Sequence, residues 1–137
     1  MATTFEITFH NRADGAHMHP GETLRGTVTV IPDKDLDCKH FYVRLLWHTE
    51  GRGTRYLATI EELDVFQGRL QQGFPTSFEF TFVLPDEPWS FEGHYVSVVW
   101  KVQAQIDLSW SRDPQEERPF ILRPTGVNIE SDYSTSY

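Results

Sequence analysis

Apolar and polar residues alternate along most of this sequence, and a period of two is what a pleated strand with one buried face requires. The longest run, His94 to Trp110, sets Val96, Val98, Trp100, Val102, Ala104, Ile106, Leu108 and Trp110 on one parity, with Ser97, Lys101, Gln103, Gln105, Asp107 and Ser109 opposite. At about 3.3 Å per residue it is too long for one flat strand, so it is expected to bend, carry a bulge or serve successive partners. Phe5, Ile7 and Phe9 form a shorter strand, as do Leu24, Gly26, Val28 and Val30 before Pro32. Phe41, Val43, Leu45 and Trp47 alternate with Tyr42, Arg44, Leu46 and His48, so both faces of that strand are expected to be partly covered. Phe78, Phe80, Phe82 and Leu84 alternate up to Pro85, and Phe120 to Leu122 gives a last short strand. Ile60, Leu63 and Phe66 lie near helical spacing, where strand and short helix compete and strand is preferred.

Turn chemistry divides these runs. Gly51 to Thr54 has the glycines of a hairpin, after which Arg55 onward should pair back. Residues 67–75 read as a loop, and Pro85, Pro88 and Gly93 bracket another. Gly93 is expected to hold a turn with little room for a side chain, at positive φ if the turn demands it. Short strands with intervening turns and no long amphipathic helix describe an all-β, immunoglobulin-like sandwich of about seven or more antiparallel strands. Its expected extent is residues 1–123, with 124–137 a loose polar tail.

With 137 residues the chain has length for one core. Its net charge of -8 gives nucleic acid or an anionic membrane nothing to bind, and no span suited to membrane insertion is visible. The single cysteine, Cys38, cannot form an internal disulfide, and no basic start precedes an apolar run, so a cytoplasmic chain is expected.

Candidate chemistry is sparse. Asp33, Asp35 and Asp37 are spaced like the start of a calcium loop, but Cys38 stands where that loop needs glycine and Arg44 where it needs a bidentate glutamate. A solvated acidic turn is the better reading. His17 and His19, with His10 nearby, lack a third metal ligand of recognisable spacing. Cys38 would need a base, and His40 two residues on should share its strand face. No nucleophile elbow or phosphate-cradling loop occurs, and the adjacent pairs Glu61-Glu62 and Glu116-Glu117 point to opposite faces of a strand. No cofactor is implied, and a hydrolase ranks third among the readings. Trp47 and Trp100 are in phase with core residues, whereas Trp89 lies in a turn where it could anchor the loop or a ligand.

Gly21-Glu22-Thr23-Leu24-Arg25-Gly26-Thr27-Val28-Thr29-Val30 resembles the arrestin-like pattern in which a turn and a second glycine frame an early strand. Phe80-Thr81-Phe82-Val83-Leu84-Pro85 and Pro88-Trp89-Ser90-Phe91-Glu92-Gly93 resemble that family's Phe-x-Phe-x-Leu-Pro and Pro-x-Ser-Phe-x-Gly signature, continued by Ser97 to Ala104. The stretch from Ile106 through Phe120 is similar to bacterial sporulation-control relatives. Two departures limit what carries over: the chain has length for one sandwich where arrestins pair two, and Phe5 to Phe9 lacks their phosphate-sensing lysines. The resemblance implies a noncatalytic adaptor or scaffold that binds another protein, with Trp89 and the acidic turn Asp33, Asp35 and Asp37 as candidate contacts. An exposed edge strand could also support a homodimer. The alternative is a carbohydrate-binding module, which would need Trp89 and Tyr95 exposed and coplanar.

Overall fold

A computed structural model describes residues 3–10, 17–53, 55–93, 95–108 and 113–124. Trp110 and all but the first residue of the expected tail lie outside them. The described strands are β1 (Thr4–Phe9), β2 (His17–Met18), β3 (Thr23–Ile31), β4 (Leu36–Gly51), β5 (Leu57–Leu70), β6 (Thr76–Val83), β7 (Phe91–Glu92), β8 (Val96–Leu108) and β9 (Gln115–Leu122). They form a three-stranded sheet, β1-β3-β6, packed on a six-stranded sheet, β2-β9-β8-β4-β5, with β7 joined to β8. Every pairing is antiparallel except that of β2 with β9, a parallel contact of His17 with Ile121 and Met18 with Leu122. The expected antiparallel sandwich is otherwise what forms, and the two-residue β2 is its exception.

The alternating residues meet between the sheets. Ile7, Phe9, Leu24, Val28, Phe80 and Phe82 come from the small sheet, and Phe41, Val43, Leu45, Trp100, Val102 and Ile106 from the large one. Aromatic rings lock the layers edge to face: Phe5 meets Phe41 at 6.2 Å and Phe9 meets Phe120 at 6.0 Å between centroids. Trp100 is fully buried, and its indole Nε1 donates to the Pro88 carbonyl at 2.7 Å. Trp47, directly across the ladder from Trp100, is only half-buried and lies against Tyr56 with ring centroids 5.2 Å apart. Near the hairpin end of β4 the core no longer closes over it.

Strand β8 resolves the puzzle of its length by changing partners. One edge follows β4 from Val96 to Leu108, while the other pairs Ser97 and Val98 with β7 and then Trp100 to Gln105 with β9. The contested segment around Ile60 is strand, and β5 continues to Leu70, so the expected loop from residue 67 starts only at Gln71. Gly93 is crowded as expected, since a Cβ there would lie 2.6 Å from the Val96 carbonyl oxygen and against the Phe91 ring. Its φ is not positive, so crowding alone supplies the restriction.

Candidate binding groove

The residues singled out in the sequence fall at opposite ends of the sandwich. Register along β3 and β6 places Thr23 beside Val83 at one end and Val30 beside Thr76 at the other. Asp33, Asp35 and Asp37 follow the Val30 end, and Trp89 follows the Val83 end. Asp33 accepts from Thr3 Oγ1 at 2.9 Å, and Asp35 accepts from the Gln72 amide at 2.8 Å and from Arg69 at 3.4 Å. Asp37 is highly exposed and 4.0 Å from Arg69. These carboxylates stitch a turn to its neighbours and do not converge. Among the described residues no three His, Cys, Asp or Glu side chains are placed to hold a metal ion.

Trp89 is 44% exposed, with its Nε1 donating to the Asp86 carbonyl at 2.8 Å. Phe91, Tyr95, Val96, Tyr56 and Leu57 are exposed at the same end, where Gly51 of β4 meets Val96 of β8. Exposed Trp89 and Tyr95 meet half of the condition set for a sugar platform.

The nucleophile and metal candidates set aside in the sequence have local partners or burial. Cys38 is buried, and burial first, then the nearby Asp37 charge, pushes its thiol up to about 11, far from the thiolate a nucleophile needs. His40 does not share its face. A register shift between Cys38 and His40 turns the imidazole outward, where Nδ1 sits 2.6 Å from Asp64 Oδ2 and the ring stacks on Tyr42. His19 Nδ1 is 3.1 Å from the Arg123 carbonyl oxygen, and the His17 and His19 rings lie 5.2 Å apart.

The outer face of the large sheet carries what the sequence reading missed. Arg44 bonds Glu62 at 2.6 Å, reaches Gln103 at 2.9 Å and also donates to Gln105. Lys101 is buried although its parity points it away from the core, because Leu46 lies beside it and its ammonium donates to Glu117 at 2.8 Å. His48, also buried, has Nε2 3.0 Å from Glu50. Burial pushes the Glu117 carboxyl up, but the hydrogen bond and charge of Lys101, with help from Gln103 and His48, outweigh it and hold the group below its ordinary range. Glu50 is held down chiefly by its hydrogen bond to His48.

The Glu117 shift fixes the sign of an acid effect. A carboxylate depressed in the folded state stabilises above its unfolded value, ordinarily 4.5 here, and loses that contribution as pH falls through the lower folded value. Glu117→Gln should cost about 1 kcal/mol at neutral pH, a figure already discounted for the partial exposure of Glu117. It should also flatten the acid limb of stability, measured by denaturant melts from about pH 7 down to about pH 3. An acid limb as steep as that of the unsubstituted chain would remove Glu117 from the account.

Between these charges lies a groove. Where β8 passes from β9 to β7, a cavity of about 440 Å³ opens over Phe91, Val98, Val99, Phe120 and Ile121, with Glu50 and Glu92 at its rim and Arg123 within it. The Arg123 guanidinium is buried and donates to the Ser90 carbonyl at 2.8 Å. The Ser90 amide donates to Leu122, whose own amide donates to Ser90 Oγ, so the groove wall is tied to β9. A second depression of about 370 Å³, lined by His48, Lys101, Glu116 and Glu117, shares Val99 and Pro119 with the first. No single sequence motif marks the groove, which draws on β4, β7, β8 and β9.

A two-sheet sandwich of this order is an arrestin-like fold. No protein-family profile matches the sequence, and no curated protein matches it. Among solved structures the chain is similar to Spo0M, a sporulation control protein from Bacillus subtilis, with a TM-score of 0.69 and 21% identity over 99% of this chain. The match spans 55% of the Spo0M chain, so this protein corresponds to about half of that structure. The arrestin-like reading of the signature residues is thereby supported at the level of the fold. No described helix is long and apolar enough to cross a membrane.

Proposed function

We propose that this chain is a noncatalytic, cytoplasmic protein-interaction module, an adaptor or scaffold that captures another protein at the Trp89 end of the sandwich. The observation that carries the proposal is the groove over Phe91, Val98, Val99, Phe120 and Ile121, an open apolar concavity mounted on rigid strands. Trp89, next in sequence to groove residues Ser90 and Phe91, is an exposed aromatic anchor of the kind that dominates interface energies. The raised Cys38 thiol and the internal engagement of His40 support a role without a nucleophile. Asp37, at the far end, would contribute through steering, which alters association rate more than dissociation.

The experiment pans a displayed random-peptide library against the immobilised chain beside a glycan array. Peptides should be enriched, and Trp89→Ala should weaken the best of them by roughly 2 kcal/mol, about thirtyfold in Kd. Joint replacement of Cys38, His17 and His19 by Ala or Ser should leave capture unchanged. Tight glycan binding without peptide enrichment would replace this reading with the carbohydrate module, for which Trp89 and Tyr95 are exposed.

A further inference from the structure

Resting on that reading, we infer that the groove takes an extended, basic segment of its partner, with an apolar side chain seated over Val99 and flanking Lys or Arg side chains meeting the carboxylate rim.

The apolar part of the argument is geometric. At Val99 the ladder of β8 changes from β9, through Trp100 and Phe120, to β7, through Val98 and Phe91. Val99 alternates with buried Trp100 and so faces outward at this junction, where it lines both depressions with Pro119. The two depressions therefore adjoin along the strands, separated only by Val99 and Pro119. Glu92 pairs with Ser97 at one end and Glu117 pairs with Gln103 at the other. Six residues of strand separate those positions, about 20 Å at roughly 3.3 Å per residue, which is the span of an extended peptide of similar length.

The charge part decides the chemistry. Glu50 and Glu92 border the first depression, Glu116 and Glu117 the second. The two formal cations of the lining are buried and already engaged: Arg123 donates to the Ser90 carbonyl, and Lys101 donates to Glu117. What a ligand meets at the rim is carboxylate, and the ionised form of Glu50 is favoured by its bond to His48. The net charge of -8 adds long-range attraction for a cationic segment. A second copy of this acidic chain is disfavoured as occupant by the same field, since like charges across an interface oppose association.

The test measures fluorescence anisotropy of a labelled heptapeptide with a central leucine flanked by lysines and arginines, titrated with the full chain. Control peptides carry glutamate in place of every basic residue, or serine in place of the leucine. The basic peptide should bind, both controls should bind at least about tenfold more weakly, and added salt should weaken binding. Glu50→Gln with Glu92→Gln should weaken it about tenfold. Glu61→Gln with Glu79→Gln, equal in charge change but on β5 and β6, should leave Kd within about twofold. Val99→Arg should abolish binding, with the retained fold shown by an amide spectrum of the variant. Equal weakening by the two charge pairs, or a basic peptide indifferent to Val99→Arg, would overturn the inference. So would a glutamate peptide that binds as tightly as the basic one; if that binding were lost on Val99→Arg, the protein-binding role would stand while the basic partner fell.

Discussion

Trp100→Ala is expected to lower the unfolding free energy by about 3–5 kcal/mol, the range of large aromatic truncations in well-packed cores. Trp100 is fully buried, pairs with Trp47 and Phe120 across both neighbouring strands, and lies 5.9 Å from the Phe120 ring. Removing it opens a cavity at the centre of the large sheet and leaves the Pro88 carbonyl without its indole donor. The second loss reaches the groove, because Pro88 precedes Trp89 and Ser90, and Ser90 is what ties that wall to Leu122 and Arg123. Denaturant melts measure the first effect. The companion variant Trp100→Phe retains most of the apolar area but not the donor, so it should lose roughly 1–2 kcal/mol. A loss below about 1 kcal/mol for Trp100→Ala would contradict the packing described.

The strands were legible because burial on one face imposes a period of two, and Trp100 was legible because it falls in phase. The exceptions have local causes. In β5, Leu45 and Leu46 face Glu61 and Thr59, so Ile60 is an extra, bulged residue; Phe41 and Tyr42 face Phe66 and Asp64, so Val65 is another. The Val65 bulge puts Leu63 and Phe66 on one face at a spacing of three, which is why the segment resembles a helix in sequence. The bulge at Cys38 likewise defeats the expectation that His40 shares its face. Lys101 is buried on the parity that normally meets water, because Leu46 and Glu117 cover it, and no pattern within β8 announces either neighbour. The groove was invisible for the same reason: it exists where one strand exchanges two partners, and partner exchange is a property of topology. Trp89 could be singled out from its turn, but its distance from Asp33, Asp35 and Asp37 depends on which strands pair, and only the register supplies that.

Gly26→Val is expected to cost about 3 kcal/mol, the upper end for forcing atoms into a packed site. Gly26 lies in β3, the central strand of the small sheet, facing Phe9 on one side and Phe80 on the other. Its φ is not positive, so glycine is not required here by backbone conformation. The requirement is space: a Cβ would run into the Phe80 ring and the Thr8 carbonyl oxygen. The ring could shift; the carbonyl belongs to the ladder of β1 with β3 and could not move without breaking it. That makes the second glycine of the Gly21 to Val30 stretch a packing device, the place where an aromatic from the adjacent strand lies over bare backbone. Gly26→Ala should cost less than valine, and adding Phe80→Leu to Gly26→Ala should recover part of the loss, a coupling that a double-mutant cycle in denaturant melts would measure. Full additivity of those two substitutions would mean that the ring is not what excludes the side chain, and a valine tolerated within about 1 kcal/mol would mean that nothing does.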